Sequence, residues 1–238
     1  MGKKERKQFQ LVDKDSCAIY LLKIITTVEK CLIKLKDYNA QHKELLEKYE
    51  GEGQPCIPYE VYGEFVDKTG NVRSYLLNAL GDAQDSSISY FKYRKQAQKL
   101  IDRGVEGIGL CVFSDELTAL IVDFNKMRNW SNHIPESLLI CEEEAVREGK
   151  AIQSPYNPIE IYLHETVTFE YFEDLYDNNC SFYQAARRLA QACKRDYGCL
   201  IGESITVVRK YFDTPIDLRQ LQAATKSADI QGIEGNII

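Results

Sequence analysis

The sequence holds few of the residues that commonly carry chemistry, and it has no long apolar run. Its 238 residues include three histidines, two methionines and one tryptophan. No stretch approaches the ~20 consecutive apolar residues of a membrane-spanning helix, because the richest run, residues 17–25, is interrupted by Lys23. The basic start, residues 1–7, has no apolar region behind it and so does not predict a signal peptide. We therefore expect a cytoplasmic protein that makes no contact with a membrane.

The eight cysteines lack the spacing of a metal site. They contain no CxxC pair, and no histidine lies at ligand spacing from them, whereas zinc sites need closely spaced ligand pairs. Several lie in apolar runs, where a free thiol behaves as a small hydrophobic group. We predict reduced thiols in the core, no structural metal and no cofactor. The cysteines are Cys17, Cys31, Cys56, Cys111, Cys141, Cys180, Cys193 and Cys199.

The composition predicts a folded chain with an acidic surface. Hydrophobic residues make up 44% and charged residues 28% of the sequence, which is ordinary for a globular protein and unlike a disordered one. The formal net charge of −6 argues against a broad electrostatic hold on nucleic acid, because phosphate contacts supply most non-specific affinity. A local basic cleft remains compatible with that charge.

Apolar residues recur at helical spacing along most of the chain, which predicts an all-α bundle. In the first long segment, one face is apolar and the others carry lysine and glutamate, which predicts a helix over residues 15–49. Similar patterns predict helices over residues 86–103, 114–128, 135–149, 159–176, 181–197 and 201–212. Residues 59–80 contain a Gly70-Asn71 turn signal, so they form either a short hairpin or two short helices.

These elements predict one large domain between a basic N-terminal arm and a weakly structured C-terminal tail. Residues 1–14 form a basic arm, residues 15–215 form a single helical domain with a long first helix and additional C-terminal helices, and residues 216–238 form a weakly structured tail. Of the histidines, His42 lies between Gln41 and Lys43, so we expect it to be solvated. His164 follows an apolar run, so we expect it to be half-buried and hydrogen-bonded.

The third histidine belongs to a segment between two predicted helices, Arg128-Asn129-Trp130-Ser131-Asn132-His133, which we call the motif segment. It resembles the motif of the HEPN superfamily, whose catalytic members carry an arginine, usually a polar residue beside it, and a histidine four to six residues further on. An amphipathic helix runs into the motif segment, another leaves it, and a long helix lies upstream, as in that superfamily. The resemblance covers residues 15–150 as architecture and this hexapeptide alone as motif.

The resemblance implies a metal-independent endoribonuclease that acts as a homodimer and leaves a cyclic phosphate and a 5′-hydroxyl. His133 would be the general acid/base, Arg128 would stabilise the charged phosphate and Asn129 would position the site. It also implies a toxin or antiviral defence setting, with an antitoxin or an activating protein as a further partner. Many toxin members have a tyrosine two residues after the histidine. Pro135 stands there instead, which excludes that subtype and leaves the Arg–His pair intact.

Helix geometry adds independent physical reasons for a site at the motif segment. Arg128 follows Phe124 by four residues, so it shares the apolar stripe of its helix and needs a partner or a ligand. The positive end of the following helix favours a phosphate and a neutral His133, which can accept a proton. Five residues on an unbroken helix turn about 140° from one another, so a corner at Pro135 or a second subunit must bring the pair together.

Further residues are candidates for RNA binding. Asn132 and Trp130 lie within the motif segment, and the single tryptophan can also anchor a two-fold interface. Lys92, Arg94 and Lys95 alternate with Tyr90, Phe91 and Tyr93, a composition that suits single-stranded RNA. On a helix, however, such aromatics more often face the core and the basic residues form a solvated face.

A second hypothesis comes from a different class of protein. The chain could be a non-catalytic helical adaptor that recognises a protein partner, with Arg128 paired to a carboxylate inside the bundle and His133 capping a helix. The two hypotheses differ in one structural respect. The enzyme needs Arg128 and His133 on a shared cleft, whereas the adaptor tolerates both packed under the bundle and satisfied internally.

Overall fold

A computed structural model describes residues 9–85, 87–132, 136–150, 158, 161 and 163–211. Over these residues the chain has six α-helices and a two-stranded sheet, which confirms the all-α prediction. The elements are α1 (Lys14–Gly51), β1 (Cys56–Pro58), α2 (Tyr59–Gly81), α3 (Tyr90–Asp102), α4 (Asp115–Asn132), α5 (Glu136–Arg147), β2 (Thr166–Thr168) and α6 (Phe169–Ile201).

The predicted long first helix is confirmed, and it is the central element of the bundle. Asp13 begins it with a capping box, in which its carboxylate accepts from the Ser16 backbone N–H at 2.8 Å and the Ser16 hydroxyl accepts from the Asp13 N–H at 3.0 Å. The helix then continues for 38 residues, and its buried face packs mainly against α6 and α2. Burial of this face, from Cys17 to Tyr49, supplies most of the stabilisation that a helix needs in water.

The prediction of a hairpin or two short helices over residues 59–80 is wrong, because α2 is one continuous helix of 23 residues. Its buried residues recur at helical spacing on both sides of Gly70: Phe65, Thr69, Val72, Leu76, Leu77 and Leu80. A glycine inside a helix costs only about 1 kcal/mol, so burial of this face outweighs the local turn signal. Gly70 itself is exposed.

The two strands lie outside the region where a hairpin was expected. β1 pairs antiparallel with β2, with Ile57 opposite Val167, and Ile57 is fully buried. The pairing joins the start of α2 to the start of α6, and it closes over the aromatic end of the core around Phe65 and Phe172. The helix predicted over residues 159–176 therefore begins only at Phe169.

The C-terminal helices differ from their predicted bounds. The segment predicted over residues 181–197 lies within α6, which runs without a break from Phe169 to Ile201. Gly202 ends α6 in the left-handed conformation, with φ at +84°. The predicted helix over residues 201–212 is wrong for residues 204–211, which are neither helix nor strand. Phe212 lies outside the described residues.

The described residues belong to two compact units. Leu11–Glu203 form the helical unit, and the other unit draws on Met1–Gln10 and Ser204–Ile238, of which residues 9–10 and 204–211 are described. Most of the predicted basic arm and the whole predicted tail, residues 216–238, lie outside the described residues. No helix within the described ranges is long and apolar enough to cross a membrane.

The cysteines are unpaired but do not all lie in the core. Cys17 and Cys193 are buried, and burial raises the pKa of both thiols. Cys56, Cys141 and Cys199 are exposed, so the prediction of core thiols is wrong for these three.

Helices α2 and α4 approach each other most closely at Gly81. A Cβ atom added there would lie 2.6 Å from the backbone carbonyl oxygen of Phe124 and 2.8 Å from the backbone nitrogen of Asn125. The Asn125 amide donates to the Gly81 carbonyl oxygen at 2.7 Å. Only glycine therefore allows this contact between the end of α2 and the middle of α4.

We expect opposite effects from alanine at the two glycines of α2. Gly70→Ala should raise the free energy of unfolding by about 0.5–1 kcal/mol, because nothing lies within 4 Å of the added methyl group. Gly81→Ala should lower it by about 2 kcal/mol or more, because the methyl group meets backbone that cannot move aside. Urea unfolding followed by circular dichroism measures both. Equal effects at the two positions would contradict this account of the α2–α4 contact.

Candidate functional site

Helix α4 positions Arg128 as its apolar spacing predicts. The helix begins after Ser114, whose hydroxyl accepts from the Leu117 N–H at 3.3 Å, and it buries Ile121 and Phe124. Arg128 continues the same stripe and is 7% exposed. A guanidinium this deeply buried requires compensating hydrogen bonds and charge.

The partners of Arg128 come from the end of α2 and from its own helix. Nη2 donates to Asp82 Oδ2 at 3.1 Å, and Nε donates to Asn78 Oδ1 at 3.2 Å. Nη1 donates to the side-chain oxygen of the adjacent Asn129 at 3.3 Å. Asp82 is itself 5% exposed, and its other carboxylate oxygen accepts from the Gln84 N–H at 2.9 Å. Arg128 is thus held in a buried ion pair that joins α2 to α4.

The structure describes only part of the motif segment. Asn129, Trp130 and Ser131 are exposed on the last turns of α4, and Trp130 is 59% exposed. Asn132 is the last residue of α4, but its side chain lies outside the described residues, as do His133 and Pro135. The distance between Arg128 and His133 therefore stays a prediction, as does the catalytic role of both residues.

The basic residues of α3 make their contacts with other parts of the fold. Lys92 donates to the backbone carbonyl oxygens of Asp85 and Ser87, and these hydrogen bonds join the loop before α3 to the first turn of that helix. Arg94 pairs with the buried Asp196 at 2.8 Å and lies over the ring of Phe113. Lys95 is exposed above Phe91. Tyr90 and Tyr93 are fully buried, as expected of aromatics that face the core.

Asp196 is a buried polar residue that sequence reasoning missed. It accepts from Tyr90 Oη at 2.7 Å and from the Cys111 N–H at 2.7 Å, in addition to Arg94. Burial, and the nearby Asp196 carboxylate, raise the pKa of Tyr90, so its hydroxyl remains a donor. Asp196 follows Cys193 by three residues on the apolar stripe of α6, the same signal that identified Arg128.

His42 is fully buried, so the expectation of a solvated side chain is wrong. Its ring packs 4.0 Å from the ring of Phe172 and 4.7 Å from that of Phe65, measured between centroids. Neither ring nitrogen has a well-formed hydrogen bond. Burial lowers the pKa of His42 to about 4, and the Phe172 backbone offsets only part of this effect. The expectation for His164 is also wrong, because that side chain is exposed.

A cleft lies beside the motif segment, and sequence reasoning missed it too. It has a volume of about 430 Å³ and is bounded by α2, by Ser131 at the end of α4 and by Leu175 on α6. Arg73 from α2 lines it, together with Asn71, Ser74 and Asp67. We call it the Arg73 cleft. Ser131, which lines this cleft, precedes His133 by two residues in the sequence.

No group of three or more histidine, cysteine, aspartate or glutamate side chains lies close enough to hold a metal ion within the part of the chain that the structure describes. Comparisons with family models, with curated proteins and with solved structures found no match to this chain.

The buried His42 makes stability depend on pH. The unfolded chain gains a proton near pH 6.5, whereas the folded chain keeps a neutral ring until about pH 4. The contribution of His42 to the free energy of unfolding is therefore complete above pH 6.5 and is lost as the pH falls toward 4. Between pH 7.5 and pH 5, we expect His42 to account for a loss of about 2 kcal/mol in the free energy of unfolding.

The difference between variants isolates this effect from other titrating groups. In urea unfolding at the two pH values, His42→Leu should lose about 2 kcal/mol less than the parent protein. His164→Leu, at an exposed histidine, should behave like the parent. If His42→Leu shows the parental pH dependence, then His42 titrates normally in the folded chain and the account of its burial is wrong.

Proposed function

We propose that this chain is a metal-independent endoribonuclease of the HEPN type. The observation that supports it best is the geometry at the end of α4. A buried ion pair holds Arg128 beneath the surface, while the next three residues of the motif segment are exposed and Ser131 lines the Arg73 cleft. Two residues further on, His133 follows at the point where one helix ends and the next begins.

In this proposal the motif residues divide their roles between chemistry and positioning. His133 accepts the proton of a ribose 2′-hydroxyl, which attacks the adjacent phosphate, and a proton is returned to the leaving 5′-oxygen. Arg128 is paired with Asp82 and nearly buried, so we assign it to positioning the end of α4 instead of direct contact with the phosphate. Asn129 accepts a hydrogen bond from Arg128 and helps to hold that arrangement.

The proposal includes a homodimer formed around the end of α4 and the start of α5. Trp130 is exposed near the end of α4, and Leu138, Leu139 and Ile140 are exposed in α5. Of the side chains of α5 described from Leu138 to Arg147, all but that of Ala145 are exposed. An apolar surface of this kind is typical of a protein–protein contact. A two-fold contact there would bring two copies of the motif segment together.

The burial of Arg128 also favours the second hypothesis, a non-catalytic helical adaptor. Its guanidinium is satisfied inside the bundle by Asp82, Asn78 and Asn129, as that hypothesis expects. The exposed apolar residues of α5 would then receive a protein partner. Both hypotheses agree on the fold and differ in whether the chain cleaves RNA.

Cleavage of single-stranded RNA in EDTA tests the proposal. We expect the parent protein to cleave and His133→Ala to lose about 10²–10⁴ in rate, the usual cost of removing a general acid/base. His164→Ala is the matched control, because it removes an exposed histidine remote in sequence, and it should cleave like the parent.

Purifying the three proteins in parallel also controls for contaminating ribonucleases. If His133→Ala cleaves at the parental rate, the activity does not come from the motif segment. If the parent protein cleaves no RNA, the adaptor becomes the better account of this fold. Melting temperatures of the variants separate loss of chemistry from loss of folding.

A further inference from the structure

Arg73 is held in a defined orientation in its cleft. Nη1 donates to Asn179 Oδ1 on α6 at 3.2 Å, and the guanidinium lies 4.8 Å from the centroid of Phe182. Phe182 in turn stacks on Phe124 of α4, with 5.3 Å between ring centroids. Three helices therefore fix the direction of this guanidinium before any ligand arrives.

The charge of Arg73 has no carboxylate partner among the residues that the structure describes. Its side chain is partly buried, and burial lowers its pKa. Asp67 lines the same cleft, and no ion pair between Asp67 and Arg73 is found among the described residues. Two other arginines that are buried or partly buried do have a carboxylate partner. Arg94 of α3 pairs with Asp196, and Arg128 of α4 pairs with Asp82. A partly desolvated cation without a counter-charge favours an anionic ligand.

The remaining lining suits a phosphate group. Ser131 contributes an exposed hydroxyl and Asn71 an exposed amide, both of which can donate to phosphate oxygens. The cleft volume of about 430 Å³ lies within the range of small-ligand sites. The amide nitrogen of Asn179, buried beside Arg73, also lacks an acceptor among the described residues.

We propose that the Arg73 cleft binds a backbone phosphate of single-stranded RNA, with Arg73 as the charged contact and Ser131 on the opposite wall. The choice of RNA as the source of the phosphate rests on the proposed function. The cleft would supply the positive charge that Arg128, paired with Asp82, does not offer. Because the net charge is −6, the proposal needs a local basic contact of this kind, and one neutralised phosphate should give a salt slope of about 0.7.

Binding of a labelled 2′-O-methyl oligoribonucleotide of about ten nucleotides tests the site without cleavage. Fluorescence anisotropy at several salt concentrations should show that Arg73→Gln weakens binding about tenfold and lowers the salt slope by about 0.7. Arg73→Lys should recover part of the affinity because it keeps the charge. Arg187→Gln, which removes an exposed arginine of α6, is the matched control and should bind nearly like the parent.

Ser131→Asp provides a second variant that leaves the packing of Arg73 untouched. Ser131 is exposed, so the fold should survive, while a carboxylate on the opposite wall should abolish binding. Failure of the parent to bind the probe, or equal binding by Arg73→Gln, Ser131→Asp and Arg187→Gln, would overturn the proposal. So would binding of inorganic phosphate that depends on Arg73 while binding of the oligonucleotide does not.

The outcome is separable from that of the cleavage experiment. The 2′-O-methyl probe lacks the 2′-hydroxyl that would attack the phosphate, so its binding is measured without cleavage. Binding that depends on Arg73 in a protein that cleaves no RNA would reject the nuclease and keep the site. Cleavage of RNA by a protein whose oligonucleotide binding does not depend on Arg73 would keep the proposed nuclease and reject the Arg73 cleft as a binding site.

Discussion

The ion pair between Arg128 and Asp82 is the interaction on which the rest of the candidate site depends. It closes the contact between the end of α2 and the last turns of α4, where Gly81 lets the two backbones meet. A buried pair of this kind adds little net stability against an apolar alternative, but losing one partner leaves an uncompensated charge and costs about 3–5 kcal/mol. Its value here is specificity, because it fixes the rotation of α4 and hence which motif residues face outward.

The same contact explains how a buried arginine and an exposed motif can share one short segment. Arg128 points inward to Asp82 and Asn78, while Trp130 and Ser131, two and three residues later, point away from the core. Ser131 thereby reaches the cleft that Arg73 lines from α2. Positioning and phosphate binding are thus assigned to different arginines on neighbouring helices, each with its own partners.

The sequence predicted the helices well where one apolar stripe runs unbroken, as in α1, and predicted the burial of Arg128 by the same rule. That rule also applies to His42, where the charged neighbour Lys43 dominated the interpretation, and to Asp196, for which no prediction was made. Arg73 had no such signal, since the groups that hold it, Asn179 and Phe182, are more than a hundred residues away in sequence and meet it only in the fold. The turn signal at Gly70-Asn71 failed because burial of the surrounding face outweighs the cost of one glycine.

The double-mutant cycle of Asp82→Asn and Arg128→Met tests most directly whether this ion pair holds α2 and α4 together. Both substitutions keep side-chain volume, and Trp130, the one tryptophan of the chain, reports on the end of α4 by its fluorescence while circular dichroism follows the whole fold. The account predicts a coupling free energy of at least about 1.5 kcal/mol in urea unfolding, with a change in Trp130 emission in each single variant. A coupling within about 0.5 kcal/mol of zero, with unchanged emission, would contradict it.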